Sequence, residues 1–190
     1  MSAFVKDDAV VLHARPYGDV DAIVALFARS HGRISVYGRG VRSSKRQSAP
    51  PLAPLYEVRL ELARKSGDLF SARAVDLVNA HAALQTDLVR LGAANVVVEI
   101  VREMYQEGQS DPLVYARLCD TLRALERGVP LEVLDDFEHE LLAALGYQQE
   151  EEGADPLARF RQRTEIFGRV IGTQRGRDLP ARAFLLSVAR

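Results

Sequence analysis

Near residue 80 the chain changes its hydrophobic period. Before that point apolar residues come in short runs or alternate with polar ones. Ala9-Val10-Val11-Leu12 is a compact apolar run, and Arg15-Pro16-Tyr17-Gly18-Asp19 follows it with turn chemistry. Ile23-Val24-Ala25-Leu26-Phe27 and Ile34-Ser35-Val36-Tyr37 flank Ser30-His31-Gly32-Arg33, the composition of a hairpin loop. Tyr56, Val58, Leu60 and Leu62 alternate with Glu57, Arg59 and Glu61, the period of a strand with one buried face. Ser66-Gly67-Asp68 then turns the chain into a fifth segment over 69–75. Five short strands with tight turns in about 75 residues predict a small closed barrel, for which the oligonucleotide-binding (OB) barrel is the commonest five-stranded solution.

Beyond residue 80 the period is helical. Leu88, Leu91, Val98, Val101 and Tyr105 form one stripe and Ala93, Val97, Ile100 and Met104 a second, as expected of a central helix apolar on two faces. Asp111-Pro112 supplies an N-cap and a first-turn proline for a second helix, lined by Val114, Leu118, Leu122 and Leu125. A third follows Pro130, with Leu134, Phe137, Leu141 and Leu145 inward and Gly146 as its stop. Leu157, Phe160, Thr164, Phe167 and Ile171 mark a fourth, and residues 179–188 a short fifth. The expected fold class is α+β: an OB barrel over 1–80, then an all-helical domain over 81–190 with a short acidic connection at 148–155.

Charge changes this picture more than composition does. The net charge of −1 conceals a basic first segment (12 basic, 8 acidic residues over 1–80), an acidic middle (5 against 16 over 81–156) and a basic end (8 against 2 over 157–190). Within the first, residues 29–46 carry Arg29, Arg33, Arg39, Arg42, Lys45 and Arg46 without one carboxylate, together with Tyr37 and Gly32, Gly38 and Gly40. Cations for phosphates, a flat ring for a base and bare backbone for close approach are what a polyanion requires. Arg33, Tyr37, Arg39, Arg42, Lys45 and Arg46 are therefore the candidate nucleic-acid contacts. No base-reading constellation accompanies them, which predicts sequence-independent binding.

Other chemistry is thin. Cys119, the single cysteine, excludes an internal disulfide framework and a cysteine-cluster zinc site, and its place beside Leu118 and Leu122 reads as a structural thiol. His13, His31, His81 and His139 share no metal-ligand spacing. Asp7, Asp8, Asp19 and Asp21 could be drawn as a nuclease cluster, but turn formation at Gly18-Asp19 accounts more simply for the third. Gly38-Arg39-Gly40 lacks the Gly-Lys-Ser/Thr of a nucleotide-phosphate loop. No catalytic residue, metal site or cofactor is expected. No stretch nears the roughly 20 apolar residues of a membrane span, and the N-terminus lacks a signal-peptide pattern, so a cytoplasmic, nucleoid-associated protein is expected.

Several landmarks together resemble the bacterial DNA repair family RecO. They are residues 9–12 with 15–24, His31-Gly32-Arg33-Ile34-Ser35 through Gly38-Arg39-Gly40-Val41-Arg42, Leu52-Ala53-Pro54-Leu55, and Phe137-Glu138 with Leu141-Leu142 and Leu145-Gly146-Tyr147. The resemblance implies an OB barrel on a helical domain that binds single- and double-stranded DNA, anneals strands and helps load a recombinase onto coated single strands. It also implies two partners, RecR and the acidic C-terminal tail of single-strand-binding protein. The four-cysteine zinc module that many members carry after the Leu-Gly-Tyr segment is absent here. Of the family's basic pair near the end, only Arg182 is kept.

Two assignments stay open on the residues. Arg159, Arg161, Arg163, Arg169, Arg175, Arg177 and Arg182 could form a second cationic face or pair with the acidic middle, Glu150, Glu151 and Glu152 included. Arg117 or Arg123 could meet an acidic tail, which Asp135-Asp136 would repel. The resulting expectation is a non-enzymatic DNA-binding mediator; the alternative is a protein-interaction adaptor with incidental DNA affinity.

Overall fold

A computed structural model describes residues 4–41, 52–66, 69–144, 146–147, 155–175 and 179–189. Strands β1 (Val5–Tyr17), β2 (Asp21–Ala28), β3 (Gly32–Gly38), β4 (Glu57–Ser66) and β5 (Leu69–Asn79) close into a barrel in the order β1-β2-β3-β5-β4. All neighbours are antiparallel except β3 and β5, which run parallel with Ser35, Val36 and Tyr37 against Leu69, Phe70 and Ser71. This is the OB connectivity expected from the five runs.

β1 is what closes the ring. It pairs with β4 from Val5 to Val10 and with β2 from Ala9 to Tyr17, and a bulge between Val11 and His13 bends it from one partner to the other. The strand is far longer than its apolar run of 9–12, because Lys6, Asp7 and Asp8 are paired through their backbones with β4. Inward-facing Ala9, Val11, Val24, Leu26, Ile34, Val36, Val58, Leu60 and Leu62 fill the interior. Truncating one of the leucines to alanine removes roughly 2–5 kcal/mol of stability.

Two compact units divide the chain. The first joins residues Met1–His81 with Val101–Cys119, and the second joins Ala82–Ile100 with Asp120–Arg190. The helices are α1 (Leu88–Met104), α2 (Pro112–Leu125), α3 (Pro130–Ala144), α4 (Pro156–Arg175) and α5 (Pro180–Val188), with a 3-10 turn over Ala82–Thr86 before α1. Asp111 caps α2 as its sequence promised, accepting bonds from the amides of Leu113 and Val114 at 3.1 Å each. One stripe position fails: Leu88, at the first turn of α1, is 60% exposed. The apolar double face of α1 begins only at Ala93 and Ala94, where Val96, Val97 and Ile100 join it in the interior.

In the second unit the buried layer is partly ionic. Arg182 is 1% exposed and Glu138 is fully buried, and the two are hydrogen-bonded. Arg182 also donates to the Thr164 hydroxyl at 2.8 Å, and its guanidinium lies over the rings of Phe160 (4.9 Å) and Phe167 (4.6 Å). Asp135 receives Arg159 at 2.8 Å, while Arg163 bonds both its carboxylate and, at 2.7 Å, its backbone carbonyl. These contacts decide the C-terminal arginines in part: Arg159, Arg163 and Arg182 pair with carboxylates of α3, and Arg161 and Arg169 are exposed. Asp135 is therefore held by two guanidiniums and is no bare repulsive charge. Arg177 and Glu150, Glu151 and Glu152 lie outside the described residues.

Candidate nucleic-acid interface

Because the inner residues of the barrel alternate, their neighbours form rows on its outer face. Strand register pairs Arg15 with Ile23, Ile23 with Tyr37, and Tyr37 with Ser71. That row runs cation, aliphatic, aromatic, hydroxyl across four strands, roughly 14 Å at about 4.8 Å per neighbour. On one side of it lie His13, Ala25 and Ser35; on the other, Tyr17 faces Asp21. On this face Arg15 is exposed, while Ile23, Ala25, Ser35, Tyr37 and Ser71 are half-buried.

The far end of the same face is covered. Residues 105–109, just past α1, dock against the start of β3. The Arg33 amide donates to the Gln109 carbonyl at 3.2 Å, and the Gly108 amide donates to the Arg33 carbonyl at 2.7 Å. The Arg33 guanidinium donates to the Tyr105 carbonyl at 2.9 Å, with Glu107 3.9 Å from its Nε. The Tyr105 ring meets Phe27 edge-on at 4.9 Å between centroids. Gly32 makes this docking possible: its φ is +66°, and a Cβ there would sit 1.9 Å from the Gln109 carbonyl oxygen. The bare backbone read from sequence as room for a polyanion thus serves the protein's own chain at Gly32. At Gly38 a Cβ would lie 2.5 Å from Val41, again an internal contact.

Of the candidate set, Arg33, Tyr37 and Arg39 fall within the described residues. Arg33 is half-buried and holds the 105–109 segment. Tyr37 lies on the outer face, as alternation with Ile34 and Val36 requires, and its hydroxyl donates to the Asp21 carboxylate. That bond pushes the phenol above its ordinary value. The other Asp21 oxygen accepts the Gly40 amide at 2.7 Å, so one carboxylate ties the ring to the start of the basic loop. Arg39 is exposed just beyond β3. Arg42, Lys45 and Arg46 lie outside the described residues.

Register adds residues that sequence reasoning passed over. Arg15 and Tyr17 were read only as turn chemistry, yet they share the outer face with Tyr37. The Tyr17 and Tyr37 rings meet edge-on at 5.9 Å and 87°. Arg102, at the end of α1, is within electrostatic reach of His13. Packing around the His13 ring, and then the charges of Arg102 and Arg15, hold that imidazole below its ordinary value, against a smaller opposing pull from Glu103. Only the strict alternation of His13, Arg15 and Tyr17 could have signalled this edge.

The carboxylates imagined as a nuclease cluster have separate tasks. Asp7 accepts the Ser30 and His31 amides at 3.0 and 3.1 Å and contacts the His31 ring at 2.6 Å, fixing the β2–β3 turn. Asp8 pairs with Arg59 at 2.7 Å. Among the described residues no three His, Cys, Asp or Glu side chains converge as a metal site would require, and no helix is long and apolar enough to cross a membrane.

A closed five-stranded barrel in this strand order, followed by helices, defines the OB-barrel class. Comparison narrows the class: residues 1–81 match the family model for recombination protein O, N terminal, and residues 85–151 the model for its C terminal. The chain belongs to the RecO family. Among similar proteins, the DNA repair protein RecO of Syntrophobacter fumaroxidans is 35% identical over 120 residues, 63% of this chain and 48% of that protein. That of Geobacter metallireducens is 32% identical over 146 residues, 75% of this chain and 59% of its own length. That of Anaeromyxobacter sp. (strain K) is 34% identical over 144 residues, 75% and 57% respectively. The chain thus spans about half to three fifths of the length of the curated relatives it matches.

Proposed function

We propose that this chain is a non-enzymatic DNA-binding mediator of recombinational repair, acting on both single and double strands. The observation that carries the reading is the register row that sets Arg15 and Tyr37 on the outer face of the barrel, with Arg39 following in the sequence and Arg42, Lys45 and Arg46 after it. Phosphates would lie along this face, the barrel of 1–80 serving as the nucleic-acid module and the helical residues 81–190 as the docking unit. Annealing follows physically when two strands held on cationic surfaces repel each other less. Family membership supports assistance to recombinase loading on coated single strands, with RecR and the acidic tail of single-strand-binding protein as partners.

A salt-titrated binding curve tests the reading. Changing Arg39, Arg42 and Arg46 together to alanine should lower single-strand affinity at least about tenfold while the protein stays folded. The log–log salt slope should flatten by about 2, at roughly 0.7 per lost phosphate contact. Unchanged affinity and slope would refute the assignment. Cleavage of labelled DNA on adding magnesium would refute the non-enzymatic part.

A further inference from the structure

We propose that Tyr17 and Tyr37 form a stacking platform for unpaired bases of single-stranded DNA, with Asp21 as its positioning residue; this rests on the DNA-binding reading above. Tyr17 is 58% exposed at the end of β1, where a large ring gains little from burial. It is nevertheless oriented, because Tyr37 meets it edge-on at 5.9 Å. Tyr37 buttresses the Tyr17 ring from one side, and Tyr17 keeps more than half of its surface open to solvent. Tyr37 is fixed in turn by its hydroxyl bond to Asp21, whose second oxygen holds the Gly40 amide at 2.7 Å. Ring orientation and the start of the basic loop are thus locked by one carboxylate.

The surroundings match a single strand. Arg15 precedes Tyr17 by two positions on the same face, roughly 6.6 Å along the strand, and Arg39 follows Tyr37 by two. Phosphates have cations on either flank of the rings. Asp21, beside them, has each oxygen turned to a donor of the protein. A duplex keeps its base faces stacked inside, so it can use the cations but not the rings. An unpaired base can use both, which gives this face a preference for single strands without reading sequence.

The test uses the full chain, a single-stranded oligonucleotide carrying 2-aminopurine, an abasic oligonucleotide of equal length and the matching duplex. The wild type should quench the 2-aminopurine. Tyr17→Leu should abolish the quench and weaken binding of the base-bearing single strand about tenfold. Its affinity for the abasic strand and the duplex should stay within about twofold, with an unchanged salt slope. Tyr37→Phe, which keeps the ring but releases it from Asp21, should show a smaller loss in the same direction, and Asp21→Asn should resemble it. If Tyr17→Leu leaves the base-bearing strand unaffected, or weakens all three probes alike, the platform is overturned while DNA binding stands. A wild type that binds none of the probes overturns both.

Discussion

On the barrel, Arg15 and Arg39 stand exposed at the borders of a face whose floor is Ile23, Tyr37 and Ser71. In the helical unit, Arg163 and Arg182 are 3% and 1% exposed and bonded to Asp135 and Glu138. The residue type is the same and the local sequences are equally basic. What separates the two uses is the element each meets in the fold. β3 lies within a run without carboxylates and pairs with apolar residues of β2 and with Leu69, Phe70 and Ser71 of β5, whereas α4 and α5 meet the acidic face of α3. A guanidinium in the first setting stays exposed to solvent. In the second its charge is cancelled within a few ångströms and serves the packing of the unit.

The largest break in that comparison is expected at the buried pair. Glu138→Ala leaves the Arg182 guanidinium, which cannot shed its proton, without its main counter-charge, and should cost about 3–5 kcal/mol by denaturant melts at pH 7. Arg182→Met should cost less. Burial already pushes the Glu138 carboxyl up to about 7 despite the pull of Arg182 and Arg163, so it can take a proton once Arg182 is gone. The sign for pH follows. A carboxyl whose folded value lies above its ordinary 4.5 binds a proton that the unfolded chain has released. Its contribution is full below about pH 4.5 and is lost as pH rises through about 7. Glu138→Gln should flatten that part of the stability profile, and a profile unchanged by the substitution would count against the mechanism. None of these changes should alter the salt slope of DNA binding.

Arg33 sharpens the contrast because it belongs by sequence to the first region and by contact to the second kind of use. Arg33→Ala removes the charged bond to the Tyr105 carbonyl and should cost roughly 1.5–3 kcal/mol of stability. The salt slope of the folded protein should change by less than about half the increment of a phosphate contact. A stability loss near zero with a slope loss of a full contact would return Arg33 to the DNA-facing set.

How much of this was legible in the sequence depends on range. The alternation of Tyr56, Val58, Leu60 and Leu62, the turn at Gly18 and the caps at Asp111 and Gly146 are local, and the barrel and helices were readable from them. The site was readable only in part. Alternation put Tyr37 outside, but the partner of its hydroxyl, Asp21, is 16 positions away and known only from strand register. Nothing local says that residues 105–109 return to cover Arg33 and Gly32, so both were read as facing a ligand. Arg163 sits between Phe160 and Phe167 on the apolar stripe of α4, a position that could have flagged it as buried. Its partner on α3 could not have been named, since pairing between helices follows packing and not spacing.

The smallest expected effect concerns the opposite border of the barrel face, where no basic run draws attention. His13 is held below its ordinary value first by the packing around its ring, then by Arg102 and Arg15. A phosphate seated between those arginines would offset their charge and favour the imidazolium, moving the His13 value upward. Binding would then take up a proton, and by linkage single-strand affinity should rise as pH falls below the ordinary histidine value of 6.5. The direct measurement is an NMR titration of the ring protons with and without a short single strand. His13→Gln should remove the pH dependence attributable to this site while leaving binding at pH 8 nearly intact. If the strand binds and the His13 value does not move, the DNA path runs along β3 and its loop alone, and Arg15 and Arg102 belong with the arginines that serve the fold.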